Sequence, residues 1–162
     1  MRFSRARMLP RCIKLGDVEA LTRIFTRADV CHYATLIGDT NPIHICDAAA
    51  VAAGFDRCVV HGVLVGAMFS NLMGMRLPGP NSIYLQQTFE FIAPVLVLEE
   101  VTATVQVKEF HARKGFVWLE TIVTKKKKVE NKEEVVVCIR GNALGMNKFV
   151  TFEGSSVWTF KR

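Results

Sequence analysis

Apolar positions recur at helical spacing through the first half of this chain and alternate from Ser82 onward. Residues 18–27 (VEALTRIFTR) alternate weakly and predict a strand. Asp29 stands where an N-cap belongs, ahead of Val30, Tyr33, Ala34 and Ile37 on one face, which predicts a helix to about Gly38. Asp47 is likewise placed to cap AAAVAAG, with Gly54 just past its end. His61-Gly62 opens the most apolar stretch, Val63 to about Arg76, which reads as a buried helix stopped by Leu77-Pro78-Gly79-Pro80. Residues 83–91, 101–107, 116–124 and 135–142 then alternate as strands, with 112–115 and 125–134 as hairpin connections. Helices first and antiparallel strands later make an α+β arrangement, a sheet wrapped round one buried helix.

At 162 residues, half of them apolar, the chain is expected to form one ordered domain with one core. No apolar run reaches the roughly 20 residues of a spanning helix, so the chain reads as soluble, with no membrane span. The net charge of +6 is localised: residues 1–16 hold five basic residues and no acid, Lys125 to Lys128 add four more, and the remainder nets −3. That distribution does not supply the broad basic face of a nucleic-acid-binding domain. Residues 1–16 (MRFSRARMLPRCIKLG) instead match a mitochondrial targeting segment, the plain alternative being a disordered basic end in a cytoplasmic protein. Lys125 to Lys128 reads as a solvated hairpin tip, and residues 148–162 as a tail of unassigned role. The five cysteines include no C-x-x-C pair, which suggests a reducing compartment.

Candidate chemistry concentrates in Gly38-Asp39-Thr40-Asn41-Pro42-Ile43-His44 and in His61-Gly62. Pro42 lacks an N–H and pushes Asn41 out of the α region, so the segment is expected to be a turn, not a helix. A turn can aim Asp39 and His44 into one small volume, as proton transfer requires. An imidazole in ordinary surroundings titrates near neutrality and can give or accept a proton. Asp and His five residues apart carry little weight alone; with Asn41-Pro42 between them and His61-Gly62 before a buried helix, they make a specific pattern. His61 reads as structural, and His32 and His111 as ordinary. His44-x-Cys46 lacks further ligands at metal spacing, so no metal is expected, and no Gly-x-Gly-x-x-Gly marks a nucleotide cofactor.

The segments YATLIGDTNPIH (33–44), AAAVAAGF (48–55), VVHGVLVGAMFSNLMG (59–74), LPGPNSIYLQQTFEFIAPV (77–95) and VTATVQV (101–107) stand in the order found in one family. Over roughly residues 20–147 the chain resembles the MaoC-like, R-specific enoyl hydratases and dehydratases, especially the branch acting in mitochondrial type II fatty acid synthesis. The resemblance implies a single hot-dog domain over 17–147, Asp39 and His44 as the catalytic pair, and the Gly62 amide as the donor to the thioester oxygen. It also implies that Asn41 and Pro42 shape the turn and that Ser70 lines the site. Leu98-Glu99 departs from the family's Gly-Asp after Pro94-Val95, which puts that turn's geometry in question. The implied reaction is dehydration of a 3-hydroxyacyl thioester, carried on acyl carrier protein or coenzyme A, or the reverse hydration, without a cofactor. Because an acyl-pantetheine arm needs a groove between units, a homodimer is expected. Enoyl-coenzyme A hydration in degradation, a hot-dog thioesterase, and a non-catalytic acyl- or RNA-binding module are the competing functions.

Overall fold

The computed structural model describes residues 11–129 and 132–154. Its centre is a six-stranded antiparallel sheet in the order β2 (Val18–Ile24), β5 (Glu100–His111), β6 (Phe116–Val129), β7 (Lys132–Met146), β3 (Ile83–Gln87), with β4 (Glu90–Phe91) also on β7. Alternation decides which face is covered: Val101, Ala103, Val105 and Val107 of β5 are buried, as are Val117, Leu119, Thr121 and Val123 of β6. A register shift between Val123 and Thr124 lets β7 bury the consecutive residues Cys138 and Ile139. Against this face lie α4 (Gly62–Gly66) and α5 (Met68–Met75), and the whole is the expected α+β hot-dog arrangement.

The central helix differs from its sequence expectation in two ways. It is two pieces meeting at Ala67, where hydrogen bonding tightens to Ser70 N–H donating to Ala67 O at 3.0 Å. It is also buried on one side only: Val65, Met68, Phe69, Leu72 and Met73 face the sheet, while Val63, Ser70 and Met75 are exposed. Burying a side chain such as Phe69 contributes about 1.5–3 kcal/mol.

The predicted caps are shifted. The helix α1 (Arg27–Ile37) is capped by Thr26, and Asp29 is the third helical residue, completing a capping box. Asp47 is the first residue of α3 (Asp47–Ala52), and Gly54 follows that helix with φ +91. Pro42 does not exclude a helix; it starts one. In α2 (Pro42–Ile45) it holds the first position, where its missing N–H costs nothing, and Asn41 caps it by accepting from Ile43 N–H.

At the edges the folded unit is larger than the sequence indicated. In β1 (Cys12–Ile13) and β8 (Thr151–Phe152) the chain forms a parallel pair that buries Ile13 and Phe152 in the core. Residues 12–13 were assigned to the basic N-terminal segment and 151–152 to the tail. Residues 1–10, most of the segment read as a targeting signal, and 155–162 lie outside the described residues. The hairpin read at 125–134 is narrower, because β6 runs to Val129 and β7 starts at Lys132. Lys125 is not a solvated tip: its side chain is 12% exposed and its Nζ donates to Glu99 at 2.7 Å and to Pro94 O at 2.8 Å. Glu99 also accepts Leu96 N–H at 2.8 Å, closing the turn in which Leu98 takes φ +68. The turn that a glycine would fill without strain is thus kept by a leucine in the left-handed region. Among the described residues no helix is long and apolar enough to cross a membrane.

Candidate active site

Three short elements bring the candidate residues together: the loop after α1, the helix α2, and the extended segment that leads into α4. Gly38, at φ +79, ends α1 and frees Asp39 from it. Asp39 Oδ1 accepts the Asn41 amide at 3.2 Å, which folds the carboxylate back over its own turn. One turn on, the Nδ1 of His44 lies 2.7 Å from Val59 O. A carbonyl only accepts, so Nδ1 carries the proton of that bond and Nε2 of the neutral ring is left free to accept one.

His61 sits beneath this ring. The two imidazoles stack with centroids 3.8 Å apart and planes at 26°, and Tyr33 meets His61 edge-on at 5.1 Å. His61 is 3% exposed; its Nε2 reaches Asp39 O at 3.0 Å and lies 3.8 Å from Asp39 Oδ2, while its buried Nδ1 has no partner among the described residues. Polar atoms of Asp39, His44 and His61 all lie within 4.8 Å of one another. Sequence spacing did not point to a metal, yet the fold gathers three potential ligands. Their lone pairs are poorly disposed: the stacked rings aim theirs in nearly parallel planes, and His44 Nδ1 and His61 Nε2 already meet backbone carbonyls.

A cavity of about 380 Å³ adjoins it, walled by Val59, Val60, Gly62, Val63, Val65, Phe91, Ile92, Ala93, Pro94, Val95 and Ile139, with His44 as its one polar side chain among the described residues. Asp39 is outside this wall, and its side chain is 48% exposed. Gly62, Val63 and Leu64 precede the first i→i−4 bond of α4, made by Val65 N–H to His61 O, so their amides stand outside that ladder. A Cβ on Gly62 would stand 2.6 Å from the Phe91 ring, so the glycine is what admits that ring. Ser70 is not brought to the cavity; it lies on the exposed side of α5.

Behind α2, Arg27, Asp47 and Cys58 form a second polar group. Burial and the hydrogen bond with Asp47 push the Cys58 thiol up to about 11, while bonds from the Cys58 thiol and amide hold the Asp47 carboxyl below the usual carboxylate range. Sequence reasoning missed the Val59 carbonyl, Tyr33, Phe91 and this group. A backbone carbonyl leaves no trace in residue type, and Phe91 reads as one more alternating strand residue.

The chain belongs to the MaoC-like domain family, whose pattern it matches over residues 16–134. It is similar to the (R)-specific enoyl-CoA hydratase of Aeromonas caviae, with 40% identity over 114 residues, 70% of this chain and 85% of that protein. Similarity extends to the mitochondrial 3-hydroxyacyl-[acyl-carrier-protein] dehydratase of Arabidopsis thaliana, 37% identical over 94 residues, 58% of this chain and 55% of that one. Among solved structures, an (R)-hydratase from A. caviae involved in PHA biosynthesis superimposes with a TM-score of 0.75 at 34% identity, covering 83% of this chain and 96% of that one.

Proposed function

We propose that this protein is a hydro-lyase that reversibly adds water to trans-2-enoyl thioesters, giving (R)-3-hydroxyacyl thioesters, with Asp39 and His44 as its catalytic pair. The observation that carries the reading is His44: its Nδ1 is committed to Val59 O, and among the described residues it is the one polar side chain on an apolar cavity. In the hydration direction, His44 Nε2 accepts a proton from water while the oxygen bonds to the β-carbon. Asp39 orients that water. The π electrons shift toward the thioester, and charge on its oxygen meets the Gly62 amide; one such donor contributes about 3 kcal/mol in the transition state. The α-carbon then takes a proton from the same site, and dehydration retraces these steps.

The physiological direction we favour is dehydration in mitochondrial type II fatty acid synthesis. Supporting it are the likeness to a plant mitochondrial dehydratase and the acid-free, Arg-rich residues 1–16. A homodimer joined along the β3–β4 edge fits the exposed Ile83, Leu85, Phe91 and Ile92 there.

The test is to give purified protein a trans-2-enoyl-coenzyme A and the matching acyl-carrier-protein thioester, following loss of enoyl absorbance and resolving the product chirally. An R product is expected. Release of free carboxylate would instead mean a thioesterase. No reaction on either thioester, with RNA binding that falls steeply with salt, would mean a binding module.

A further inference from the structure

We propose that Arg27 is a positioning residue for His44, clamping the one-turn helix that carries it to the segment whose carbonyl orients its ring. The proposal rests on the proton-transfer role given to His44 above.

Arg27 is the first residue of α1 and is not among the residues that wall the cavity. Its Nη2 donates to Ile45 O, directly after His44, and its Nη1 lies 3.1 Å from both Asp47 Oδ2 and Cys58 Sγ. Asp47 Oδ1 in turn accepts Cys58 N–H at 2.9 Å. One residue further, Val59 N–H donates to Ile43 O at 3.0 Å, and Val59 O takes the His44 Nδ1 bond. The guanidinium and the imidazole are therefore two ends of one ladder joining residues 43–47 to residues 58–59. The ladder has to do this work, because α2 spans only four residues and one turn of helix does not hold its own shape. Three acceptors on three different groups call for the planar fork of arginine; a lysine ammonium cannot reach all of them.

The alternative is a surface ion pair of no consequence. Both side chains are half-exposed, so the Arg27–Asp47 attraction itself adds little to stability. Positioning and mere structure therefore predict different readouts. If Arg27 positions His44, Arg27→Met lowers kcat about tenfold or more with KM nearly unchanged, because a small misplacement of a reacting group is costly in rate. Arg27→Lys restores only part of this, and Arg27→Met with Asp47→Asn loses less than the product of the two single effects. The control is Arg23→Met, which removes the Arg23–Asp29 pair at the same helix end without touching residues 43–59; its kcat should match wild type.

An independent readout is the side-chain ¹⁵N spectrum of His44. A single tautomer protonated at Nδ1 is expected in the wild type, and an averaged pair in Arg27→Met. If folded Arg27→Met keeps both kcat and the single tautomer, the proposal is wrong. If the wild type proves inactive on thioesters while the tautomer still averages in the variant, the clamp stands and the catalytic reading falls. Should Arg27→Met not fold, Arg27→Lys and Asp47→Asn carry the same comparison.

Discussion

The face between α5 and strands β5–β7 and the polar segment from Asp39 to His61 are built on opposite principles. The first is held by area: Phe69, Leu72, Val105 and Leu119 are essentially inaccessible, and no single contact there is indispensable. The second is held by a few directional bonds to backbone, with Asp39 on Asn41 N–H, His44 on Val59 O and His61 on Asp39 O. Area tolerates error but cannot aim an atom. Directional bonds can aim an imidazole but contribute little net stability, about 1 kcal/mol each. Under the proposed function the chemistry lies on the second and the stability on the first, so the two should be separable by mutation.

The largest loss of stability should come from the first region. Leu72→Ala removes a fully buried side chain and should cost about 2–5 kcal/mol in chemical denaturation, with turnover per folded molecule little changed. Next comes Gly141→Ala: its Cβ would stand 1.8 Å from Thr88 O, a backbone atom that no rotamer change can move. It should cost about 1–3 kcal/mol and loosen β3 and β4 from β7, seen as faster amide exchange at Thr88 and Asn142. A smaller effect of opposite sign is expected at Leu98, exposed and at φ +68. Leu98→Gly relieves about 1–2 kcal/mol of left-handed strain against about 0.5–1 kcal/mol of added unfolded-chain entropy, so the denaturation midpoint should rise slightly. The smallest effect concerns Asp29, whose carboxyl is held below its ordinary value first by its bonds to Thr26 and then by Arg23. Its contribution is complete above the unfolded value of about 3.9 and is lost as pH falls through the lower folded value. Asp29→Asn should flatten that part of the stability–pH curve and leave activity intact.

The same division explains what could be read from sequence. Elements defined by period were legible: α1 from Val30, Tyr33 and Ala34, and β5 from VTATVQV, because burial of one face imposes the period directly. That Asp39 and His44 lie close together was legible too, although the chain between them is a helix start capped by Asn41 and not the plain turn expected. What escaped depends on partners distant in the chain. Two residues at 12–13 cannot announce a pairing with 151–152, and Lys125 could not be known to meet Glu99 and Pro94 O. Pro42 was misread for a different reason: its missing N–H forbids a helix interior but suits a helix start, and only Asn41 as a cap distinguishes the two. Ser70 has the right residue type for the site, but it is exposed and is not among the residues that wall the cavity.

The most direct test of the account is kcat/KM for trans-2-enoyl-coenzyme A hydration by the wild type, His44→Ala and Asp39→Asn, with folding checked by denaturation. The account predicts that both variants keep a denaturation midpoint near wild type and lose about 10²–10⁴ in kcat/KM. Folded variants that stay within about tenfold of the wild type would contradict it, because the proton transfers would then belong to other groups.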